Sequence, residues 1–119
     1  MIERKRGHIC AICSLSAKVT FPNGTAYCAT KWGVDGFMNS LYDEICADDY
    51  EEFIKLTTVY PFFINTRKQV TDLLETITTK EVTPIVSPKD AANQIVQSIL
   101  LEKRNAVVPS YLKGFGLAQ

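Results

Sequence analysis

The sequence predicts an α/β fold, a parallel sheet covered by helices, on three observations. Short apolar runs bounded by turn residues alternate with segments of helical periodicity. The run "GHICAICS" at 7–14 is apolar and isoleucine-rich without alternation, as a strand covered on both faces requires. The segment "SPKDAANQIVQSILLEK" at 87–103 carries a complete helix start, with Ser87 as N-cap, Pro88 as first helical residue and Asp90 in the first turn. Strand, helix, strand, helix, strand in this order implies right-handed crossovers and a three-layer αβα sandwich, with the strand at 7–14 central in the sheet.

Each element follows from local signals. Before the first strand, "ERKRG" reads as a helix C-terminus, cations against the negative dipole end and then Gly7 as a left-handed cap. After the turn signal "FPNG", residues Tyr27, Lys31, Val34, Met38, Leu41 and Ile45 follow steps of four and three, the spacing of one face of a helix over 24–47, with Tyr27 and Lys31 heading an otherwise buried stripe. Trp32 and Phe37 lie off that stripe, placed to pack on a partner helix. "FIKLTTVY" at 53–60 reads as a strand stopped by Pro61, and "NAVVP" at 105–109 as the last strand. Between them, 66–80 is polar around an apolar "VTDLLETI" and reads as a helix or ordered loop.

Composition narrows the function. With 119 residues, 46% hydrophobic, 22% charged and a net charge of zero, the chain fits one globular domain, or part of one, and carries no basic excess for nucleic acid. No apolar run approaches the ~20 residues of a membrane span, and the stretch after Met1 is too short for a secretory signal. Cys10 and Cys13 form a single C-x-x-C, Cys28 and Cys46 stand apart, and His8 is alone. With no second pair to complete a ligand set, the cysteines read as buried, reduced, small apolar residues and no metal site is expected. "NGT" at 23–25 fits a glycosylation sequon, but the turn is its expected use.

One constellation points to chemistry. Tyr27 and Lys31 are one helical turn apart in "YCATK", and a phenol serves acid/base chemistry near neutral pH when a fixed cation stands beside it. Thirteen residues before Tyr27, Ser14 closes the first strand at its carboxyl end, where ligands bind in open α/β sheets. Taken singly, Ser14 could be a strand-ending polar residue, Tyr27 and Lys31 an ordinary helix pair, and Thr66 a helix cap.

Together, Ser14 and Tyr27-x-x-x-Lys31 resemble the catalytic motif of the short-chain dehydrogenase/reductase family. "GHICAICSLSA", "AYCATKWGVDGFMNSLYDEI", "TTVYPFFINT" and "SPKDAANQIVQSILLEKRNAVVPSYL" are most similar to its retinol dehydrogenase and 17-beta-hydroxysteroid dehydrogenase branch. The resemblance covers nearly the whole chain and implies a fold: the C-terminal half of a Rossmann-type doubly wound parallel sheet, residues 1–119 being a partial domain that contains the catalytic half.

The resemblance also implies roles. Tyr27 would be the general acid/base, Lys31 its cation and a partner of the nicotinamide ribose, and Ser14 the holder of the substrate oxygen. Tyr27, Lys31, Pro61, Ile64 and Thr66 match the cofactor-binding positions, with NAD or NADP as cofactor. Phe62 departs from the family's glycine after that proline. The expected reaction is hydride transfer at CH-OH or carbonyl groups of a lipophilic retinoid, steroid or other lipid alcohol. The resemblance further implies a homodimer through helix 24–47 and a place on the cytoplasmic side of the endoplasmic reticulum or on lipid droplets.

The family's glycine-rich pyrophosphate turn and its catalytic asparagine have no counterpart in these residues. "GFG" at 114–116 follows the last strand, the wrong context for that turn. By family order the three strands are neighbours on one side of the sheet, so the strand at 7–14 is expected to have a bare edge and an uncovered face. A catalytically inactive remnant or splice fragment, associating with full-length relatives through helix 24–47, is the alternative reading.

Overall fold

The computed structural model describes residues 1–66, 72 and 85–115. Three parallel strands form the main sheet in the order β1 (Gly7–Ile12), β2 (Ile54–Pro61) and β5 (Asn105–Val108). Ile9 pairs with Leu56 and Ile12 with Val59; across the sheet, Val59 pairs with Ala106 and Pro61 with Val108. β3 (Phe63–Ile64) and β4 (Ile85–Val86) make a separate two-stranded parallel sheet. The helices are α1 (Thr25–Ala47) and α2 (Pro88–Leu100). The segment 66–80, expected as helix or ordered loop, lies almost wholly outside the described residues.

The sheet sorts its side chains by the two-residue period of a strand. Ile54, Leu56 and Tyr60 of β2 face α1, where Met38 and Ile45 pack with Ile54 and Leu56 against Ile9 and Ala11 of β1. Val59 faces the other way, packing with Ala106 and Val108 of β5 against Val86 and Ala91, with Ile95 of α2 beside them. Helix, sheet, helix are therefore the three layers. Among the described residues no helix is long and apolar enough to cross a membrane.

β1 departs from the expectation of burial on both faces. It is the edge strand of the described sheet, and on the face away from α1, Cys10 and Ile12 are exposed while His8 bonds Thr57 Oγ1 at 2.7 Å. The bare edge and open face expected from the family order are thus present. The cysteine reading changes with them: Cys13 and Cys28 are buried, Cys46 half-buried and Cys10 exposed. Three residues along an extended chain separate Cys10 and Cys13 onto opposite faces, so the C-x-x-C cannot close on one ion.

The turns that lead into the three sheet strands share one device. Ahead of β1, Lys5 N–H donates to Ile2 O and Arg6 N–H to Met1 O; after α1, Asp49 bonds Cys46 and Tyr50 bonds Ile45; after α2, Glu102 bonds Ile99 and Lys103 bonds Ser98. Each pair is the double bond of a Schellman cap. The left-handed residues are Lys5 (φ 45), Asp49 (φ 58) and Glu102 (φ 49). None is glycine. Gly7, expected as the first cap, is instead the first residue of β1, and α2 stops at Leu100 rather than running to 103. The cap expected at Ser87 is present, its hydroxyl accepting from Asp90 N–H at 3.1 Å.

Candidate active site

The three candidate catalytic residues converge on the carboxyl end of β1. Ser14 follows the strand directly and caps a 3-10 turn (Leu15–Ala17), its Oγ accepting from Ser16 N–H at 3.2 Å. That bond occupies a lone pair and leaves the hydroxyl proton available to a further acceptor. The chain then crosses the turn at 21–24, where Asn23 takes a left-handed φ of 63 and Gly24 N–H bonds Phe21 O. The Asn-Gly pair thus serves the turn, and α1 begins at Thr25.

Tyr27 is in the first turn of α1 and 48% exposed, its ring open to a ligand rather than locked in the core. Phe21 stands beside it at 6.4 Å between ring centroids. Lys31 is half-buried; its Nζ lies 3.5 Å from Ile12 O and 5.7 Å from the centroid of the Tyr27 ring. One ammonium therefore touches the last residue of the strand and the face of the tyrosine, a cation–π distance. From the other side, Cys13 Sγ donates to Lys31 O at 3.3 Å. Cys13 is 3% exposed, and burial pushes its thiol up from its ordinary pKa.

The candidate cofactor residues lie at the adjoining strand end. Pro61 is buried at the last pair of β2 with Val108, Ile64 pairs with Val86 and packs against the buried cluster around Val59, and Thr66 is exposed just beyond, its N–H bonded to Ile64 O. Phe62, in the place of the family's glycine, packs against the buried cluster that includes Cys13, Leu15 and Tyr60 and donates its N–H to Val108 O. The departure is absorbed by the core.

One buried group has no counterpart in the sequence reading. Asp35, a single turn past Lys31, is 7% exposed, pairs with Lys18 at 2.7 Å and accepts from Tyr60 Oη at 2.6 Å. It was hidden because it lies beside, not on, the stripe of apolar residues, where a carboxylate reads as solvent-facing. The only hint was Lys18, which the fold alone brings to it.

The parallel sheet with its covering helices agrees with what the comparisons with known proteins find. The family model described as short chain dehydrogenase matches residues 1–75, more than half of the chain. The chain belongs to the short-chain dehydrogenase family. It is 38% identical over 115 residues to human epidermal retinol dehydrogenase 2, covering 94% of this chain and 35% of that protein. It is 29% identical over 110 residues to estradiol 17-beta-dehydrogenase 11 of Pongo abelii, covering 92% and 34%.

Among solved structures, gluconate 5-dehydrogenase from Burkholderia cenocepacia, crystallised with NADP and tartrate, superimposes with a TM-score of 0.62 at 21% identity, over 95% of this chain and 47% of that one. That likeness carries the fold: a Rossmann-type parallel sheet, of which the chain spans about half the enzyme's length. Of the curated relatives it spans about a third.

Proposed function

We propose that this chain supplies the catalytic segment of a nicotinamide-dependent oxidoreductase acting on the CH-OH or carbonyl group of a lipophilic alcohol or ketone. The observation that carries the reading is the Lys31 ammonium poised between Ile12 O and the Tyr27 ring, at the strand end where Ser14 stands. The family and the retinol and estradiol dehydrogenases among its relatives support the substrate class.

In this reading Ser14, its Oγ already accepting from Ser16 N–H, donates its proton to the substrate oxygen and fixes it. Tyr27 gives a proton to that oxygen on reduction, or takes one from it on oxidation. Lys31 sets its ammonium 5.7 Å from the centroid of the Tyr27 ring and orients that ring at the strand end. Apolar Phe21, 45% exposed with its ring 6.4 Å from that of Tyr27, would exclude water and receive an apolar substrate. The nicotinamide ring, when bound, supplies or accepts the hydride. Lys31, Pro61, Ile64 and Thr66 would hold that end of NAD or NADP. A glycine-rich turn for the pyrophosphate is not among these 119 residues, so that contact must come from outside them.

The outer face of α1, where Trp32 is 52% and Phe37 65% exposed, is the surface proposed for pairing with a second copy. The function is tested by a chimera in which these residues replace the matching third of human epidermal retinol dehydrogenase 2. Cofactor-dependent turnover of retinol or a hydroxysteroid supports the reading. A folded chimera that binds cofactor and turns over neither substrate refutes it.

A further inference from the structure

Asp35 is a buried carboxylate that the reaction proposed above does not use. Its Oδ2 accepts from the Lys18 ammonium at 2.7 Å and its Oδ1 from the Tyr60 hydroxyl at 2.6 Å. The Tyr60 oxygen lies a further 3.1 Å from Asn105 Oδ1, and the Lys18 ammonium stands 5.1 Å over the Tyr60 ring. Three segments meet at this carboxylate, the end of the turn after β1, the middle of α1 and the end of β2, and Tyr60 links it to a fourth, the start of β5.

The placement of Lys18 gives the cluster a meaning beyond packing. Ser14 opens the 3-10 turn and Lys18 closes it. At the opening, Ser14 Oγ is held by Ser16 N–H; at the close, Lys18 is held by a residue one turn past Lys31 on the helix that bears Tyr27. A buried carboxylate resists displacement of either partner, because moving one leaves charge desolvated and unpaired. Tyr60, 2% exposed, braces the second oxygen and stops the carboxylate from rotating away.

The geometry points to Lys18 and Asp35 as positioning residues that fix the Ser14 turn against the helix carrying Tyr27 and Lys31, with Tyr60 holding the carboxylate in place. The catalytic side of this inference rests on the function proposed above, whereas the mechanical side does not.

Amide hydrogen exchange on the 119-residue chain tests the mechanical side with Lys18→Met, Lys18→Arg and Asp35→Asn. Ala17, Lys18 and Val19 donate to the carbonyls of Ser14 and Leu15 and report on the turn. In Lys18→Met and Asp35→Asn these three amides should exchange about tenfold faster while those of β2 stay as in the parent, and Lys18→Arg should keep the parent's rates. Unchanged turn protection in Lys18→Met, or an equal rise in turn and β2, would overturn the inference.

The second measurement uses the chimera. Lys18→Met should lower kcat by about tenfold with cofactor affinity unchanged, and Lys18→Arg should restore it. An active chimera indifferent to Lys18→Met overturns the positioning role. An inactive parent chimera refutes the proposed function instead and leaves the exchange result to decide the clamp.

Discussion

The Lys31 ammonium lies 3.5 Å from the carbonyl oxygen of Ile12, so the helix bearing Tyr27 is tied to the strand that runs into Ser14. That tie spans 19 residues of sequence and brings a hydroxyl, a phenol and a cation to one strand end.

Asp35→Ala should destabilise the chain by about 2 kcal/mol, because it strips the Tyr60 hydroxyl of its shorter partner and frees a Lys18 that is only 30% exposed. Urea unfolding followed by circular dichroism measures it. A loss below about 0.5 kcal/mol would place this pair among ordinary surface salt bridges.

Burial, and then the hydrogen bond to Asp35, raise the Tyr60 phenol well above its ordinary pKa of 10. The native state keeps this proton where the unfolded chain releases it, so the contribution is complete below about pH 10 and is lost as pH rises beyond it. Urea midpoints at about pH 8 and about pH 11 should therefore fall further in the parent than in Tyr60→Phe. An equal fall in both would show that other groups govern alkaline unfolding.

Glu102→Gly should stabilise by about 0.5 kcal/mol, since a left-handed residue with a Cβ is strained and glycine relieves this at some entropic loss in the unfolded state. A thermal melt reads the change. A lower Tm would mean that the Glu102 side chain contributes more than the strain removes.

These caps also show where sequence reading stops. The three strands of the main sheet, α1, and the N-cap of α2 at Ser87 were legible because apolar period and cap chemistry are local, whereas the two-residue β3 and β4 were not foreseen. The helix ends were not: Lys5, Asp49 and Glu102 adopt a conformation whose usual marker is glycine, so Gly7 drew the first boundary two residues late. Ser14, Tyr27 and Lys31 were candidates through their spacing together with the family resemblance, and the fold sets Lys31 beside Tyr27 and beside the strand end that precedes Ser14. Asp35, Lys18 and Tyr60 were not, since 25 residues separate Tyr60 from Asp35 and only β2 packing on α1 brings them together. The exposure of Cys10 and Ile12 depends on which strand lies at the sheet edge, which no short window of β1 reports.

The 119-residue chain alone should bind NAD(H) and NADP(H) weakly and show no dehydrogenase activity. Backbone amides of a glycine-rich turn supply much of the nucleotide affinity in this fold, and no such turn is among these residues. Calorimetric titration with both cofactors checks it, and micromolar binding would reveal a nucleotide site of a different kind.

The central claim is that Tyr27 moves the proton, and Tyr27→Phe in the chimera with human epidermal retinol dehydrogenase 2 tests it most directly. Removing the hydroxyl leaves the ring and its contact with Lys31, so cofactor affinity should stay within about twofold while kcat falls by at least about a thousandfold. Turnover within about tenfold of the parent would contradict the account and assign the proton to another group.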